Sequence, residues 1–268
     1  MTEEEIEGGV KEPPGDGEFS PEAKQGLYAA ILGRRDVRSF RPDPVPDDVL
    51  VRVLEAAHHA PSVGFMQPWD FILIRDTETR RYVKDLSDRE RRAAACFFDG
   101  PRRDKYLSMK LEGIMDAPLN LCITCDPTRG GPQVLGRGSI PETDVYSTCL
   151  AVQNLWLAAR AEGVGVGWVS ILRNAELREI LGMPHHIIPV AYLCMGYPRD
   201  GFQEKPLLQS SGWRERLPLD SLVRLERWEQ KERPEHGKGL EHSLSLSAKE
   251  ARETAATHPA TLTGSVWP

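Results

Sequence analysis

The stretch DVYSTCLAVQNLWLAARAEG, residues 144–163, limits most strongly what this chain can fold into. On a 3.6-residue period its apolar side chains (Tyr146, Cys149, Leu150, Val152, Leu155, Trp156, Ala159) wrap most of the way round. A helix of that kind is central to a core or lies in a subunit interface. It runs straight into GVGVGWVSIL, residues 163–172, which predicts a strand with a glycine lead-in. The order matters. Dinucleotide-binding glycines follow a strand and open a helix, whereas these follow a helix and open a strand. Gly163 therefore reads as a helix C-cap, and Gly165 or Gly167 as a close approach of the backbone to something flat.

Other segments supply the rest of the fold. SPEAKQGLYAAILGR (20–34) predicts a helix with Ser20 as N-cap, Pro21 in its first turn and Gly33 as its stop. Leu27, Ala30 and Ile31 share one of its faces. VPDDVLVRVLEAAHHAPS (45–62) predicts a second helix, with Val49, Leu50, Val53, Leu54 and Ala57 on one face and Pro61 at its end. WDFILIRD (69–76), LNLCITCD (119–126) and HIIPVAYLCMGYP (186–198) read as strands, and NAELREILG (174–182) as a short helix. The alternation is irregular, which points to an α+β fold. CFFDGPRRDKYLSMKLEGIMDAPLN (96–120) is amphipathic and basic, either a lid or a plain surface helix. Residues 1–18 are acidic and rich in Gly and Pro and are expected to be disordered; 19–228 form the folded domain; 229–268 are expected to be a mobile tail or an arm that orders against a partner.

Composition removes several functions. The net charge is −6, and the chain lacks a Lys/Arg-rich tract with interleaved aromatics, so nucleic acid is not an expected partner. No apolar run reaches the length of a membrane span, and the acidic N-terminus does not resemble a secretory signal. Five cysteines, an odd count, fit free thiols in a reducing cytoplasm. Cys122 and Cys125 make a CxxC inside a strand, where that spacing puts the two side chains on opposite faces. No zinc set completes it, and His58-His59 and His185-His186 read as surface pairs at helix ends. There is no P-loop and no GxSxG.

Three segments carry chemistry. RRDVRSFR (34–41) clusters Arg34, Arg35, Arg38 and Arg41 around Asp36. Guanidinium forks at a helix start suit a phosphate; a solvated charged helix start is the plainer reading. Asp36 stands out because a carboxylate weakens the pull on an anion, and its arginine neighbours are expected to lower its pKa. APSVGFMQPWDF (60–71) has an irregular backbone at Pro61 and Gly64, Ser62 and Gln67 able to meet a heteroaromatic edge, and Met66 and Trp69 as apolar surface. CDPTRGGPQVLGRGSIPETD (125–144) is a long loop carrying Arg129 and Arg137.

Taken in order, RRDVRSF, APSVGFMQPW, the apolar helix, GVGVGWVS and MGYP resemble the nitroreductase-like FMN flavoproteins. The usual opening of that family is Arg-Arg-Ser-x-Arg. The aspartate here, with KLEGIMDAP, CDPTRGG and GVGWVSI, resembles the branch of 5,6-dimethylbenzimidazole synthases, from about Gly26 to Leu219. The resemblance implies an α+β nitroreductase-like fold, with a central mixed sheet flanked by helices, in a homodimer with the flavin site at the interface. It implies an oxygen-dependent enzyme that fragments reduced FMN to 5,6-dimethylbenzimidazole and erythrose 4-phosphate, toward the lower ligand of cobalamin. Electrons would come from NADH or NADPH, in some members through a separate flavin reductase. By the same resemblance Asp36 is the general base and Ser170 the second catalytic position. Arg34, Arg35, Arg38, Ser62, Gly64, Gln67, Leu111, Glu112 and Arg216 would hold FMN, and Met109 to Leu111 would belong to a lid. No metal is implied. A conventional NAD(P)H-dependent nitroreductase or flavin reductase, and a non-enzymatic FMN-binding protein, are the alternatives.

Overall fold

A computed structural model describes residues 17–228 and Ser243. Nearly all of the N-terminal stretch and C-terminal tail expected to be disordered lies outside the described residues. Contacts divide the chain into one unit that ends at Gln203 and another that begins at Glu204. In the second, the described residues form α7 (Leu207–Ser210) and a 3-10 turn at Leu219–Ser221.

In the first unit the chain runs α1 (Pro21–Gly33), α2 (Asp47–His58), β1 (Trp69–Ile74), α3 (Thr77–Ala94), α4 (Gly100–Ser108), β2 (Leu119–Cys125), α5 (Thr143–Ala161), β3 (Gly165–Val169), α6 (Asn174–Ile180) and β4 (Ile188–Gly196). The four strands form one sheet in the order β1-β2-β4-β3, and every strand pairing is antiparallel. The fold is α+β. The mixed character shrinks to a single parallel bridge, Asp36 to Val166. Helix α3 is an element the sequence reading does not single out; it buries only Val83, Leu86 and Ser87.

Alternation along β2 sorts the core into two layers. Leu121 and Ile123 join α2 and α5 through Val49, Leu50, Val53, Leu155 and Trp156. Cys122 joins the opposite cluster with Val83, Leu86, Leu177, Tyr192 and Cys194. Every residue of β2 is buried, so this strand is the middle of the first unit. Helix α5 buries one broad side, through Ala151, Val152, Leu155, Trp156 and Ala159, and not the full wrap its sequence predicts: Cys149 is half-buried and the Tyr146 side is open. Its N-terminal neighbour differs. Ser20 does cap α1, accepting from the Ala23 amide at 3.3 Å, but α1 buries none of its residues. Leu27, Tyr28, Ile31 and Leu32 stay exposed, as do Tyr146 and Leu150 of α5.

The segment after α1 decides where the arginines go. It is extended, so the basic cluster follows a helix instead of opening one. Val37 N donates to Val166 O at 3.0 Å, and Arg41 N to Tyr197 O at 2.8 Å. Asp36 to Phe40 thus line the free edge of β3 and the end of β4. The crossing is tight enough to require glycine. A Cβ on Gly167 would lie 2.0 Å from Val37 O, and one on Gly165 2.8 Å from Val37 Cγ2. The close neighbour of Gly167 is the chain's own backbone, and that of Gly165 is the Val37 and Pro198 side chains.

These two positions should respond unequally. Gly167→Ala forces backbone against backbone and is expected to destabilise by about 3 kcal/mol or more, at the upper end of overpacking penalties. Gly165→Ala meets only the Val37 and Pro198 side chains, so a smaller loss of about 1–2 kcal/mol is expected. Denaturant unfolding of both variants checks this; equal losses would refute the backbone contact as the reason.

Candidate functional site

The glycine crossing brings Asp36 against β3. Its Oδ1 accepts from the Trp168 amide at 2.9 Å, and its Oδ2 from Arg38 Nη2 at 2.5 Å. The Asp36 side chain keeps 43% of its surface accessible, yet enough protein surrounds the carboxylate for burial to push its pKa above the ordinary value. Both facts fit a recess walled on most sides and open on the remainder. Arg38, the Trp168 amide and Arg34 pull the other way and are outweighed. The expected lowering is therefore reversed: the arginines act as foreseen, but desolvation is larger.

Arg38 is only 14% exposed, and its Nη1 is buried without a hydrogen-bond partner. That nitrogen lies 2.8 Å from where a Gly167 Cβ would stand. A buried guanidinium N–H with no acceptor is costly to leave unmade, which is the condition of a donor meant for a ligand. Arg34 stacks on the Trp156 ring at 4.8 Å, and the Trp156 indole donates to Arg35 O at 3.4 Å. Arg35 Nη1 donates to Leu32 O and Arg34 O. Trp156 and Trp168, 6.4 Å apart, back this segment. Neither was singled out for the site from sequence; the spacing of GVGVGW put Trp168 beside the crossing without saying so. Ser170 is exposed just past β3.

Glu112 joins the same neighbourhood. Gly113 packs on the segment after Asp36, where a Cβ would lie 2.7 Å from the Phe40 ring and 2.9 Å from Arg38 O. Glu112 Oε2 accepts from Ile114 N at 2.8 Å, and Lys84 Nζ sits 3.6 Å from Oε1. Asn120 Nδ2 holds Ile114 O at 3.0 Å from β2. Beneath lies Cys194, bonded to the Gly113 backbone and within electrostatic reach of Arg38, Glu112 and Asp36; burial raises its thiol to about 12. Leu111 is half-buried beside Glu112. The stretch from 96 to 120 resolves into α4 and this pinned loop.

A second group stands apart on the same chain. Ser62 Oγ accepts from Gln67 N at 3.1 Å, and Ser147 Oγ accepts from Val63 N at 3.2 Å. Gly64 is wedged with a φ of 56°, its missing Cβ 2.5 Å from Val134 Cγ1. Phe65 and Gln67 also have positive φ, 54° and 46°. A cavity of about 550 Å³ runs beside this loop, lined by Gly64, Gln67, Trp69 and Leu135 among others. Arg129 and Arg137 of the long loop serve as struts. Arg129 grips Asp70 with two 2.8 Å bonds and donates to Gln67 O and Trp69 O; Arg137 pairs with Asp144 at 3.0 Å. Along α5, Ser147 and Trp156 anchor the two groups nine positions, or about 13 Å, apart. Arg216 is exposed in the second unit. Among the described residues no cluster of His, Cys, Asp or Glu could hold a metal, and the five cysteines are free.

Comparison with known proteins agrees with this geometry. Residues 31–197 match the model of the Nitroreductase family. A Rhodospirillum rubrum protein named 5,6-dimethylbenzimidazole synthase is 42% identical over 202 residues, spanning 75% of this chain and 94% of its own. One of that name from Rhodobacter capsulatus is 38% identical over 204 residues, 75% of this chain and 97% of its own. The fold is shared with the crystal structure of a BluB-like flavoprotein from Clostridium difficile 630 (TM-score 0.55, 18% identity, 75% of this chain and 99% of that one). It is shared also with iodotyrosine deiodinase bound to FMN and 3-iodo-L-tyrosine (TM-score 0.58, 21% identity, 76% and 99%). With its family model matched from the end of α1 to the end of β4 and its curated relatives covered almost end to end, the chain belongs to the nitroreductase family, on the branch of the 5,6-dimethylbenzimidazole synthases.

Proposed function

We propose that this enzyme fragments reduced FMN with dioxygen, releasing 5,6-dimethylbenzimidazole and erythrose 4-phosphate for the lower ligand of cobalamin. The observation that carries the reading is Asp36: a carboxylate fixed by the Trp168 amide and Arg38, at a place where binding an anion would be served better without it. Reduced FMN supplies the electrons and the carbon skeleton. The chain's own residues bind, orient and move protons. The arginines suit the anionic ligand, and the unpartnered Nη1 of Arg38, beside Gly167, supplies a further donor. Asp36 accepts a proton as general base; its desolvation makes it a stronger base than a free carboxylate. Ser170 offers a hydroxyl at the end of β3. Glu112 and Leu111, next to the Gly113 that packs on Arg38 O, would contact the flavin, and the loop of Ser62, Gly64 and Gln67 would meet the ring edge.

The two residue groups on α5 suit a site completed by a second copy. Leu27, Tyr28, Ile31, Tyr146 and Leu150 are each about half exposed, and covering the remainder would contribute on the order of 1 kcal/mol apiece. A homodimer that covers this face would carry the Ser62 loop of one copy to the Asp36 recess of the other. Arg216, from the second unit, is assigned to the phosphate. NADH or NADPH would reduce the flavin, through a separate flavin reductase or on the enzyme itself. Five free thiols suit a reducing cytoplasm, and among the described residues no helix is long and apolar enough to cross a membrane.

Three outcomes are expected. Aerobic incubation with FMN, NADPH and a flavin reductase yields 5,6-dimethylbenzimidazole by mass spectrometry, whereas Asp36→Asn binds FMN but forms product at least about 100-fold more slowly, the lower range for loss of a general base. Steady NADPH oxidation with flavin intact would instead indicate a conventional nitroreductase. Because Asp36 has a raised pKa and works ionised, product formation should fall on the acid side with a midpoint above 3.8; a profile flat down to that value would remove it as the base. Light scattering should give a dimer, and a monomer with full activity would break the shared-site arrangement.

A further inference from the structure

The loop at Ser62–Gln67 exposes a side chain that no part of the reading above uses. Phe65 is 82% exposed, and its φ of 54° lies in the left-handed region that L side chains rarely adopt. It is disfavoured twice: a bulky apolar ring is left in water, and its backbone suits Gly or Asn. Everything around it is fixed. Phe65 N donates to Ser62 O at 3.1 Å and Met66 N to Val63 O at 3.3 Å. Gly64 is jammed against Val134 and Leu135. Met66 is buried, and its sulfur accepts from Arg137 Nη2 at 3.2 Å. A locked scaffold thus holds one ring outward, next to Leu135, which is 81% exposed. Strain held by its surroundings in this way gathers where a group must be presented to a ligand.

We propose that Phe65 shields the reacting flavin from water and so sets which products form. This rests on the reading under Proposed function, since Phe65 lies between Gly64 and Gln67, the residues given to the ring edge there. Two products compete. In one, reduced FMN and O2 end as 5,6-dimethylbenzimidazole. In the other, two electrons and two protons pass from reduced FMN to O2, giving oxidised FMN and hydrogen peroxide with the ring system intact. Water and free proton exchange at the flavin favour the second, and an apolar ring that excludes them favours the first.

Phe65→Gly separates the ring from the fold, because glycine suits a φ of 54° and should not lower the melting temperature. Phe65→Asn is the second ring-less variant, and Phe65→Leu restores apolar bulk. Each is mixed anaerobically with photoreduced FMN, enzyme in excess, and then exposed to O2. FMN affinity by fluorescence titration, melting temperature, benzimidazole by mass spectrometry and peroxide by a peroxidase-coupled dye are read together. Expected for Gly and Asn are FMN affinity within about three-fold of wild type, benzimidazole per flavin down about five-fold or more, and peroxide up to match. Leu should recover most of the yield. Unchanged yield in both ring-less variants overturns the shielding role. So does a lower yield that follows lost FMN affinity without added peroxide, which would make the ring a binding contact. No benzimidazole from wild type would instead fail the underlying reading, and the role of Phe65 with it.

Discussion

The backbone contact between Val37 and Gly167 is the constraint on which the site depends. With no room for a Cβ, the segment after α1 is held directly along β3, and its register fixes Asp36 opposite Val166. From that register follow the Trp168 amide on the Asp36 carboxylate, the Arg38 fork beneath it and the arginines backed by Trp156. Gly113 repeats the device on the other side, against the Phe40 ring and Arg38 O. Backbone packing at glycine positions is stiff, since it has no rotamers to spend, and it holds the Asp36 carboxylate in one place.

Electrostatics in this recess is a contest that magnitude decides. Arg38 at 2.5 Å, Arg34 and one amide all favour the ionised carboxylate, yet burial prevails. A guanidinium at such range would dominate in water; in a recess whose walls displace solvent, the lost hydration of the charge is larger. An acid that arginines alone controlled would be too weak a base. One that burial alone controlled would stay protonated. Burial with the arginines beside it leaves the Asp36 carboxyl above its ordinary value, a stronger base than a free carboxylate.

Helix α5 is the common ruler. Ser147 holds the Ser62 loop near one end and Trp156 holds the arginine segment near the other. The long loop before α5 locks the first of these through Arg129 and Arg137. Their guanidinium groups, bonded to Asp70 and Asp144 and to backbone carbonyls, explain why two arginines in a Gly/Pro-rich loop serve as struts here.

Local patterns decided most of the elements. The period of α5, the cap at Ser20, the apolar runs of β1, β2 and β4, and the glycines after α5 each depend on neighbours a few residues apart, so sequence alone determined them. The same holds for the choice of Asp36 as the residue out of keeping with its surroundings. Helix α3 was missed because its mostly charged exterior buries only three side chains, too thin an apolar stripe to announce a helix. Tertiary structure alone decided three things. It put the arginine cluster after a helix in extended backbone, since the pairing partner, β3, lies more than a hundred residues on. It raised the pKa of Asp36, because desolvation is a sum over everything packed nearby, while the sequence displays only the adjacent arginines. It gave Phe65 and Gln67 positive φ, which such side chains rarely adopt locally and which the clamps from Ser62, Ser147 and the Val134–Leu135 loop maintain.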